Sequence, residues 1–320
     1  MVQFIKDLRN NDPVESTFSV KYKHPPKKYV KGLMFGIGLT DRTGEIEATF
    51  WGKAGEEESV RKTYDSFQVN DIVVVSGKIG EFRNKLKINI DPEDGGIRKA
   101  KPSEYSIEDF IPRTNQDVEK IVENIKAIIQ SFENPHLKRL LELFFEDENF
   151  MRSFKRVPAA MYMHHACIGG LLEHIWEVVQ ICQTAAAIHT SLNKDLLLAG
   201  AILHDCGKIE EFNVTTNIKV SEVGMLRGHI SLGEEMVIEK IRSIKDFPSE
   251  LKMKLLHIVL SHHGKKENGA LKEPQFPEAA TIYYADELSS KVTQYIRLKK
   301  DVDTEDFRTY SKTLGEIYLR

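Results

Sequence analysis

Two patterns of apolar residues divide the chain. Between residues 15 and 92 apolar and polar positions alternate, as where Ile46, Ala48 and Phe50 are separated by Glu47 and Thr49. Leu33, Phe35 and Ile37 likewise occupy every second position of another segment. A period of two predicts β-strands with one buried face. Five such strands in under 100 residues, with a polar helical segment near 54–66 before the fourth, predict a small all-β barrel of OB type.

From residue 116 the apolar period changes to 3.6, which predicts helices to the end of the chain. Between the two patterns, prolines and glycines in residues 92–114 interrupt any period, except for one short helix starting at Ser106. The sequence therefore predicts a barrel domain over 1–95, a linker over 96–116 and an all-α domain over 117–320. Within the latter, five helices carry unusual polar residues, near 168–189, 194–206, 229–243, 250–263 and 276–299.

The most unusual polar pair is His204-Asp205, which follows the apolar run Leu196–Leu203. Leu197, Ala201 and His204 are spaced i, i+4 and i+7, so the histidine lies on an apolar helix face. A carboxylate beside such a run is costly to bury unless a metal or a cation compensates its charge. A single pair of this kind also fits a structural helix end.

Histidines and aspartates on apolar helix faces recur on neighbouring helices, which is hard to explain by independent structural roles. Nitrogen and oxygen ligands without cysteine suit Mn, Fe, Co, Mg or Zn rather than a structural thiolate zinc site. The residues of this kind outside the first pair are His174, His229, His262 and Asp286, and His263 directly follows His262.

The order of these residues resembles the HD phosphohydrolase superfamily, an all-helical group of metal-dependent hydrolases of phosphate esters. The flanking segments are similar to those of the YhaM-type 3'-5' exoribonucleases, which join an N-terminal OB-fold to a C-terminal HD domain. The similar segments are His164-His165-Ala-Cys-Ile-Gly-Gly-Leu-Leu-Glu-His174, Gly228-His-Ile and Leu260-Ser-His-His-Gly264. The expected fold class is thus a small OB-type barrel followed by an all-α HD-superfamily domain.

The resemblance implies a centre of two divalent ions that share Asp205, with manganese as the first choice and Co, Fe, Mg or Zn as alternatives. The first ion would be held by His174, His204, Asp205 and Asp286, and the second by Asp205, His229 and His262 or His263. Metal ions can activate a nucleophile and clamp the oxygens of a phosphodiester.

Two further residues are candidates for catalysis beside Asp205. Lys208 would neutralise the substrate phosphate. Its position just beyond the helix end also suits a cation that interacts with the dipole at the helix C-terminus. His165, with His164 next to it, would contact the leaving group or the RNA, or else be structural. Ser289 stands where the family often carries a second aspartate, and it cannot supply that charge, a departure that bears on fine substrate preference rather than on activity.

Charge is unevenly distributed along the chain. The net charge is −3, yet residues 1–100 contain 17 Lys and Arg against 15 Asp and Glu. Exposed aromatic rings between cations suit single-stranded nucleic acid, because bases stack on rings while cations follow phosphates. A partly buried Trp51 with a solvated lysine run is the alternative. The predicted contacts are Lys28, Lys31, Trp51, Phe82, Arg83, Lys85 and Lys87.

Gly36 and Gly38 have two interpretations, a close approach of nucleic acid or a bend at a barrel corner.

The remaining features set the expected class and location. Three cysteines, no long apolar segment and no signal-peptide core indicate a reduced cytoplasmic protein with no membrane contact. The expected function is a metal-dependent 3'-5' exoribonuclease that converts single-stranded RNA, or also single-stranded DNA, to 5'-mononucleotides. The alternatives are an HD nucleotidase or cyclic-nucleotide phosphodiesterase with an accessory OB domain, and an inactive RNA-binding protein. A homo-oligomer is compatible with all three.

Overall fold

The structure is a computed structural model that describes residues 3–82, 85–161, 165–302 and 306–319. The chain forms two compact units. The first comprises Met1–Pro112 with Thr215–Asn217, and the second comprises Arg113–Val214 with Ile218–Arg320.

The first unit is a sheet whose pairings form a closed circuit. Strand β1 pairs with both β3 and β5, and β6 links β4 to β5, so the circuit runs β1-β3-β4-β6-β5 and returns to β1. All of these pairings are antiparallel except β4 with β6. The elements are β1 (Pro13–Lys23), β2 (Lys27–Tyr29), β3 (Gly32–Asp41), β4 (Gly44–Trp51), helix α1 (Glu57–Asp65), β5 (Ile72–Phe82), β6 (Lys85–Ile90) and β7 (Gly96–Lys99).

Strand alternation fills the interior of this unit as the sequence predicts. Phe35 on β3 is fully buried and stacks on Phe50 of β4, with ring centroids 5.0 Å apart. Phe18, Ile37 and Ile88 are buried around them. Burying an aromatic or large aliphatic side chain contributes about 1.5–3 kcal/mol, so these alternating positions fix which face of each strand points inward.

The outer face of β3 is covered by side chains from the same unit. A Cβ on Gly38 would lie 2.2 Å from the ring of Tyr22, and one on Gly36 would lie 3.5 Å from the ring of His24. Gly38 therefore makes room for the ring of Tyr22. The two interpretations of this glycine offered by the sequence stay predictions.

The segment expected to be a linker is partly ordered sheet. β7 (Gly96–Lys99) pairs with β5, and the first compact unit extends to Pro112. Strand β7 has four residues and only Ile97 is buried, so its sequence shows no alternation of apolar and polar positions from which a strand could be predicted. The short helix predicted from Ser106 is confirmed as a 3-10 turn over Ile107–Asp109, capped by the Ser106 hydroxyl.

The second unit is mainly helical. Several of its helices begin at polar caps, for example at Asn134, Asp147 and Asn193, whose side chains accept hydrogen bonds from the first-turn backbone N–H groups. The helices are α2 (Val118–Gln130), α3 (Pro135–Phe145), α4 (Glu148–Phe154), α5 (Gly170–Ile188), α6 (Lys194–Leu203), α7 (Lys208–Glu211), α8 (Glu222–Arg242), α9 (Ser249–Ser261) and α10 (Pro277–Asp301).

Helix α6 lies in the centre of this unit. Residues 196–203 are all buried, and α6 contacts α3, α5, α9 and α10. The apolar run that carries His204 is therefore packed against α5, α9 and α10, three of the other helices that carry unusual polar residues.

The prediction that the chain is helical to its end was wrong. Two hairpins interrupt it, β8 (Phe212–Val214) with β9 (Ile218–Val220), and β10 (Arg308–Ser311) with β11 (Gly315–Tyr318). Strands of three or four residues are too short to show a period of two. Among the residues that the structure describes, no helix has the length and apolar character needed to cross a membrane.

Candidate metal centre

Five helices bring their polar residues to one region of the second unit. His174 lies in the first turns of α5, His204 caps the C-terminus of α6, and His262 caps the C-terminus of α9. Asp286 lies in the interior of α10, and Asp205 directly follows His204. A residue at a helix end can turn its side chain across the end of the helix, and this lets several helices reach the same point.

The turn after Asp205 requires glycine. A Cβ on Gly207 would lie 2.0 Å from the carbonyl oxygen of His229 and 2.4 Å from the backbone nitrogen of Gly233. The backbone of α8 therefore packs directly against this turn. That contact places His229 beside Asp205.

A break in α8 orients His229. Gly228 has φ 67° and ψ 157°, which are not helical, so a new helical segment starts at His229. The backbone N–H of His229 donates to Glu211 Oε1 at 3.1 Å, which satisfies a donor that a helix start leaves open. This matches the predicted start of the helix near residue 229.

One carboxylate joins two groups of ligands. Asp205 Oδ2 lies 3.5 Å from His204 Nε2 and 3.6 Å from His174 Nε2. Asp205 Oδ1 lies 3.5 Å from His229 Nε2 and 3.4 Å from His262 Nε2. Asp286 Oδ1 completes the first group at 3.1 Å from His174 Nε2. The two oxygens of Asp205 thus face different sets of histidines.

The outer nitrogen of each of these histidines is fixed by an acceptor. Nδ1 of His204 lies 2.9 Å from the Ala201 carbonyl, and Nδ1 of His262 lies 2.8 Å from the Val259 carbonyl. A carbonyl only accepts, so each Nδ1 carries the proton and, in the neutral ring, Nε2 keeps its lone pair for a ligand role.

In the other two histidines Nδ1 contacts a side-chain oxygen instead of a backbone carbonyl, at a slightly longer distance. Nδ1 of His229 lies 3.2 Å from Glu211 Oε1, and Nδ1 of His174 lies 3.0 Å from the Ser289 hydroxyl.

The residues present fit divalent cations. Among the described residues, Asp205 Oδ1, His229 Nε2 and His262 Nε2 are buried and have no hydrogen-bond partner. Such atoms are costly to bury, and a cation that all three could coordinate removes the cost. Ligand atoms lie within 4.8 Å of one another in the group His174, His204 and Asp286, and also in the group Asp205, His229, His262 and His263.

The environment shifts the pKa values of this centre in physically clear directions. Burial lowers the pKa of His174 and of His262, which favours their neutral rings. Burial opposes ionisation of Asp205, but Lys208 and His204 hold the pKa of its carboxyl well below the usual range. Burial likewise disfavours a charged His204, yet the Asp205 carboxylate raises the pKa of His204, so a cation binding there displaces a proton.

The other predicted catalytic residues and the remaining predicted ligand, His263, lie close by. Lys208 is buried, and its Nζ lies 2.6 Å from Asp205 Oδ2. His263 lines the cleft above the centre, and burial together with His262 lowers its pKa to about 3. His165 is buried with its Nε2 3.2 Å from Glu177 Oε1, whereas His164 lies outside the described residues.

Comparison with known proteins agrees with this geometry. The HD domain profile matches residues 171–291, and the profile of the OB-fold nucleic acid binding domain matches residues 27–92. The 3'-5' exoribonuclease YhaM of Geobacillus sp. (strain WCH70) is 33% identical over 272 residues, which cover 84% of this chain and 79% of that protein. The chain belongs to the YhaM exoribonuclease family. The Halalkalibacterium halodurans YhaM is 30% identical, with 86% of this chain and 82% of that protein covered.

The nucleic-acid contacts predicted for this YhaM-family chain lie on the first unit. Trp51 is half-buried, packs edge-on against Tyr29 with centroids 5.1 Å apart, and donates from Nε1 to Asn89. Phe82 is exposed, with the Lys87 ammonium 5.5 Å from its ring centroid. Trp51 thus has a protein partner on one edge, whereas Phe82 projects outward.

The predicted cations are spread more widely. Lys85 is exposed, and Lys87 forms an ion pair with Glu47 at 2.5 Å. Lys28 and Lys31 are exposed, but the register Lys27–Met34–Trp51 puts Lys27, not Lys28, on the face of Trp51. Arg83 lies outside the described residues.

The sequence interpretation missed the partners that hold the histidines. They are Ser289, Glu177 and Glu211. Glu177 follows His174 by three positions and Ser289 follows Asp286 by three, so each lies on the same helix face as a predicted ligand. That spacing is the available signal, although it does not show which ring each residue contacts.

Proposed function

We propose that this protein is a metal-dependent 3'-5' exoribonuclease that hydrolyses single-stranded RNA, with single-stranded DNA as a second candidate substrate. The observation that carries the proposal is Asp205, whose two oxygens face two separate sets of histidines. Membership of the YhaM family gives the substrate class and the direction.

The distances support one assignment of ligands to each cation. His174, His204, Asp205 and Asp286 would hold one divalent cation, and Asp205, His229 and His262 or His263 would hold the other. When bound, two such cations supply Lewis acidity and activate the nucleophile for phosphodiester hydrolysis. Manganese stays our first choice, with Co, Fe, Mg and Zn as the alternatives that this nitrogen and oxygen ligand set also suits.

The chain itself provides the binding site for the end of the strand. A cleft of about 460 Å³ lies above the centre and is lined by Lys208, His229, His263, Asp286 and Lys291, among others. This volume is that of a small-molecule pocket, which suits one terminal nucleotide. Lys208 holds a positive charge against Asp205 at the floor of the cleft, where a phosphate would enter. His165, held by Glu177, is our candidate for the leaving-group or RNA contact.

We further infer that the closed circuit of strands in the first unit is the predicted OB-type barrel and that it binds the strand. A cavity of about 410 Å³ on this unit is lined by Tyr22, Lys21, Lys85, Lys87 and Leu86, among others. An aromatic ring beside cations suits base stacking with phosphate contacts. Lys28, Lys31, Trp51, Phe82 and Arg83 remain predicted contacts.

The deciding experiment uses single-stranded RNA labelled at its 5' end. We expect a ladder that shortens from the 3' end and yields 5'-nucleoside monophosphates. Early release of the labelled terminal nucleotide, or cleavage of a circular RNA, would show the opposite polarity or an endonuclease. Activity on mononucleotides or cyclic nucleotides, without activity on oligomers, would favour the nucleotidase or cyclic-nucleotide phosphodiesterase alternative. No hydrolysis with any metal would favour an inactive RNA-binding protein.

A shortened protein tests the division of roles between the units. It should begin at Arg113, because Thr114 donates to the Ile168 carbonyl at 2.9 Å and Arg113 forms a bridge with Ile168. We expect it to cleave a small chromogenic phosphodiester but to lose most activity on RNA. RNA binding by the whole chain should weaken steeply with salt, because phosphate contacts release counterions. Equal RNA degradation by both forms would exclude the first unit as a substrate platform.

Homo-oligomerisation and a cytoplasmic location stay predictions. Mass measurement in solution at several protein concentrations tests the first, and cell fractionation tests the second.

A further inference from the structure

A chain of contacts extends outward from the metal ligand His174. Ser289, buried on α10 one turn beyond Asp286, lies 3.0 Å from His174 Nδ1. The Ser289 hydroxyl donates to Glu177 Oε2 at 2.7 Å. Glu177 Oε1 lies 3.2 Å from His165 Nε2. One carboxylate on α5 thus reaches a metal ligand through a hydroxyl and contacts a second histidine directly.

The directions of these hydrogen bonds are fixed by the number of protons. A serine hydroxyl has one proton, and the ionised Glu177 carboxylate can only accept, so the Ser289 proton is given to Glu177. The Ser289 oxygen must then accept from His174, which places the ring proton on Nδ1. This leaves Nε2 of His174 facing Asp286 and Asp205, where a ligand lone pair is needed.

We propose that Ser289 and Glu177 are positioning residues of the metal centre. Ser289 transmits the negative charge of Glu177 to His174 and fixes the orientation of that ring, while Glu177 also holds His165. A carboxylate at position 289 is then unnecessary, because the Glu177 carboxylate reaches His174 through the Ser289 hydroxyl. The inference rests on the metal centre proposed above, and it gives a positioning role to two residues that are not metal ligands.

The test measures metal binding rather than turnover. Ser289→Ala removes the acceptor of His174 Nδ1 and should weaken binding of Co²⁺ by about tenfold or more, which is the usual range for a lost outer partner of a ligating histidine. The visible absorption spectrum of the Co²⁺-loaded protein should also change, because the orientation of one ligand changes. Ser289→Thr keeps a hydroxyl that can accept from His174 and donate to Glu177, so it should retain tight binding.

Ser290→Ala is the matched control. It removes the same atom from the next residue of α10, whose hydroxyl donates to the Glu287 backbone carbonyl instead of a histidine. Co²⁺ affinity and spectrum should stay at the wild-type values in this variant. A loss equal to that of Ser289→Ala would show that any buried serine of α10 matters, and the proposal would be wrong.

Glu177→Gln provides an independent variant if Ser289→Ala does not fold. The Glu177 side chain is 35% exposed, so the substitution should be tolerated, and it removes the charge at the outer end of the chain of contacts. If Ser289 and Glu177 act through one path, the variant with both Ser289→Ala and Glu177→Gln should lose little more Co²⁺ affinity than the single variant with the larger loss. Additive losses, or wild-type binding by both single variants, would overturn the proposal. Absence of Co²⁺ binding by the wild-type protein would instead refute the metal centre itself.

Discussion

Asp205→Asn is the substitution that tests the shared carboxylate most directly. The amide has nearly the same size as the acid, but it carries no charge and offers one oxygen in place of two. Because Oδ1 and Oδ2 of Asp205 face different groups of histidines, the variant should weaken both cation sites at once. Loss of an outer partner alone typically costs 10–100-fold, so loss of the shared ligand should lower affinity and RNA hydrolysis by more than about a hundredfold.

The size of the effect can be predicted for thermal unfolding. A cation at a concentration of about 100 Kd stabilises the native state by about 2.7 kcal/mol. The second unit has roughly 200 residues, and about 1 kcal/mol shifts the Tm of a domain of that size by about 2–4 °C. Manganese should therefore raise the Tm of the wild-type second unit by about 5–11 °C for each bound ion, and should raise that of Asp205→Asn far less.

Differential scanning calorimetry with and without the cation measures this shift, and elemental analysis measures the bound ions. Asp147→Asn is the matched control, since Asp147 pairs with Lys240 at 2.7 Å outside the metal centre. It should keep the full cation-induced shift. A wild-type shift and two bound ions in Asp205→Asn would refute the sharing of this carboxylate.

Three further predictions follow from particular residues. Lys240 and backbone N–H groups lower the pKa of Asp147, so the stabilisation by this charge, of up to about 1 kcal/mol, is present above pH 4 and lost as pH falls through the folded pKa; the difference in urea-unfolding free energy between wild type and Asp147→Asn should shrink as the pH is lowered below 4. Burial raises the pKa of Cys182 to about 12, so a thiol reagent at pH 8 should label it only after unfolding. Gly207→Ala should destabilise by about 1–3 kcal/mol in denaturant titrations, and Gly96→Ala, where a Cβ meets nothing within 4 Å, by less.

The parts of the fold that could be predicted are those with a repeated local signal. The alternation through Leu33, Phe35 and Ile37 identified the buried face of β3, and the 3.6 period located the five helices of the metal centre. The hairpin β8–β9 could not be predicted, because each of its strands has only three residues.

The candidate site divides in the same way. The inward positions of His204 and Asp205 could be read from helical spacing, and the family resemblance supplied their grouping. The bonds between Ser289, His174 and Glu177 join residues more than 100 positions apart, so local spacing carries no record of them. The preference of Lys27 over Lys28 for the face of Trp51 depends on strand register, which a three-residue strand does not reveal.

The carboxylates around the inward-facing histidines have a consequence for charge balance. Asp205 and Asp286 contact these rings directly, Glu211 contacts His229, and Glu177 reaches His174 through Ser289. Their four negative charges balance the four positive charges of two divalent cations. The charge of the Lys208 ammonium is then uncompensated once both cations are bound. The filled centre would therefore carry one net positive charge at the floor of its cleft. An anionic phosphate neutralises it, so tight binding of the cations and of the strand end should reinforce each other.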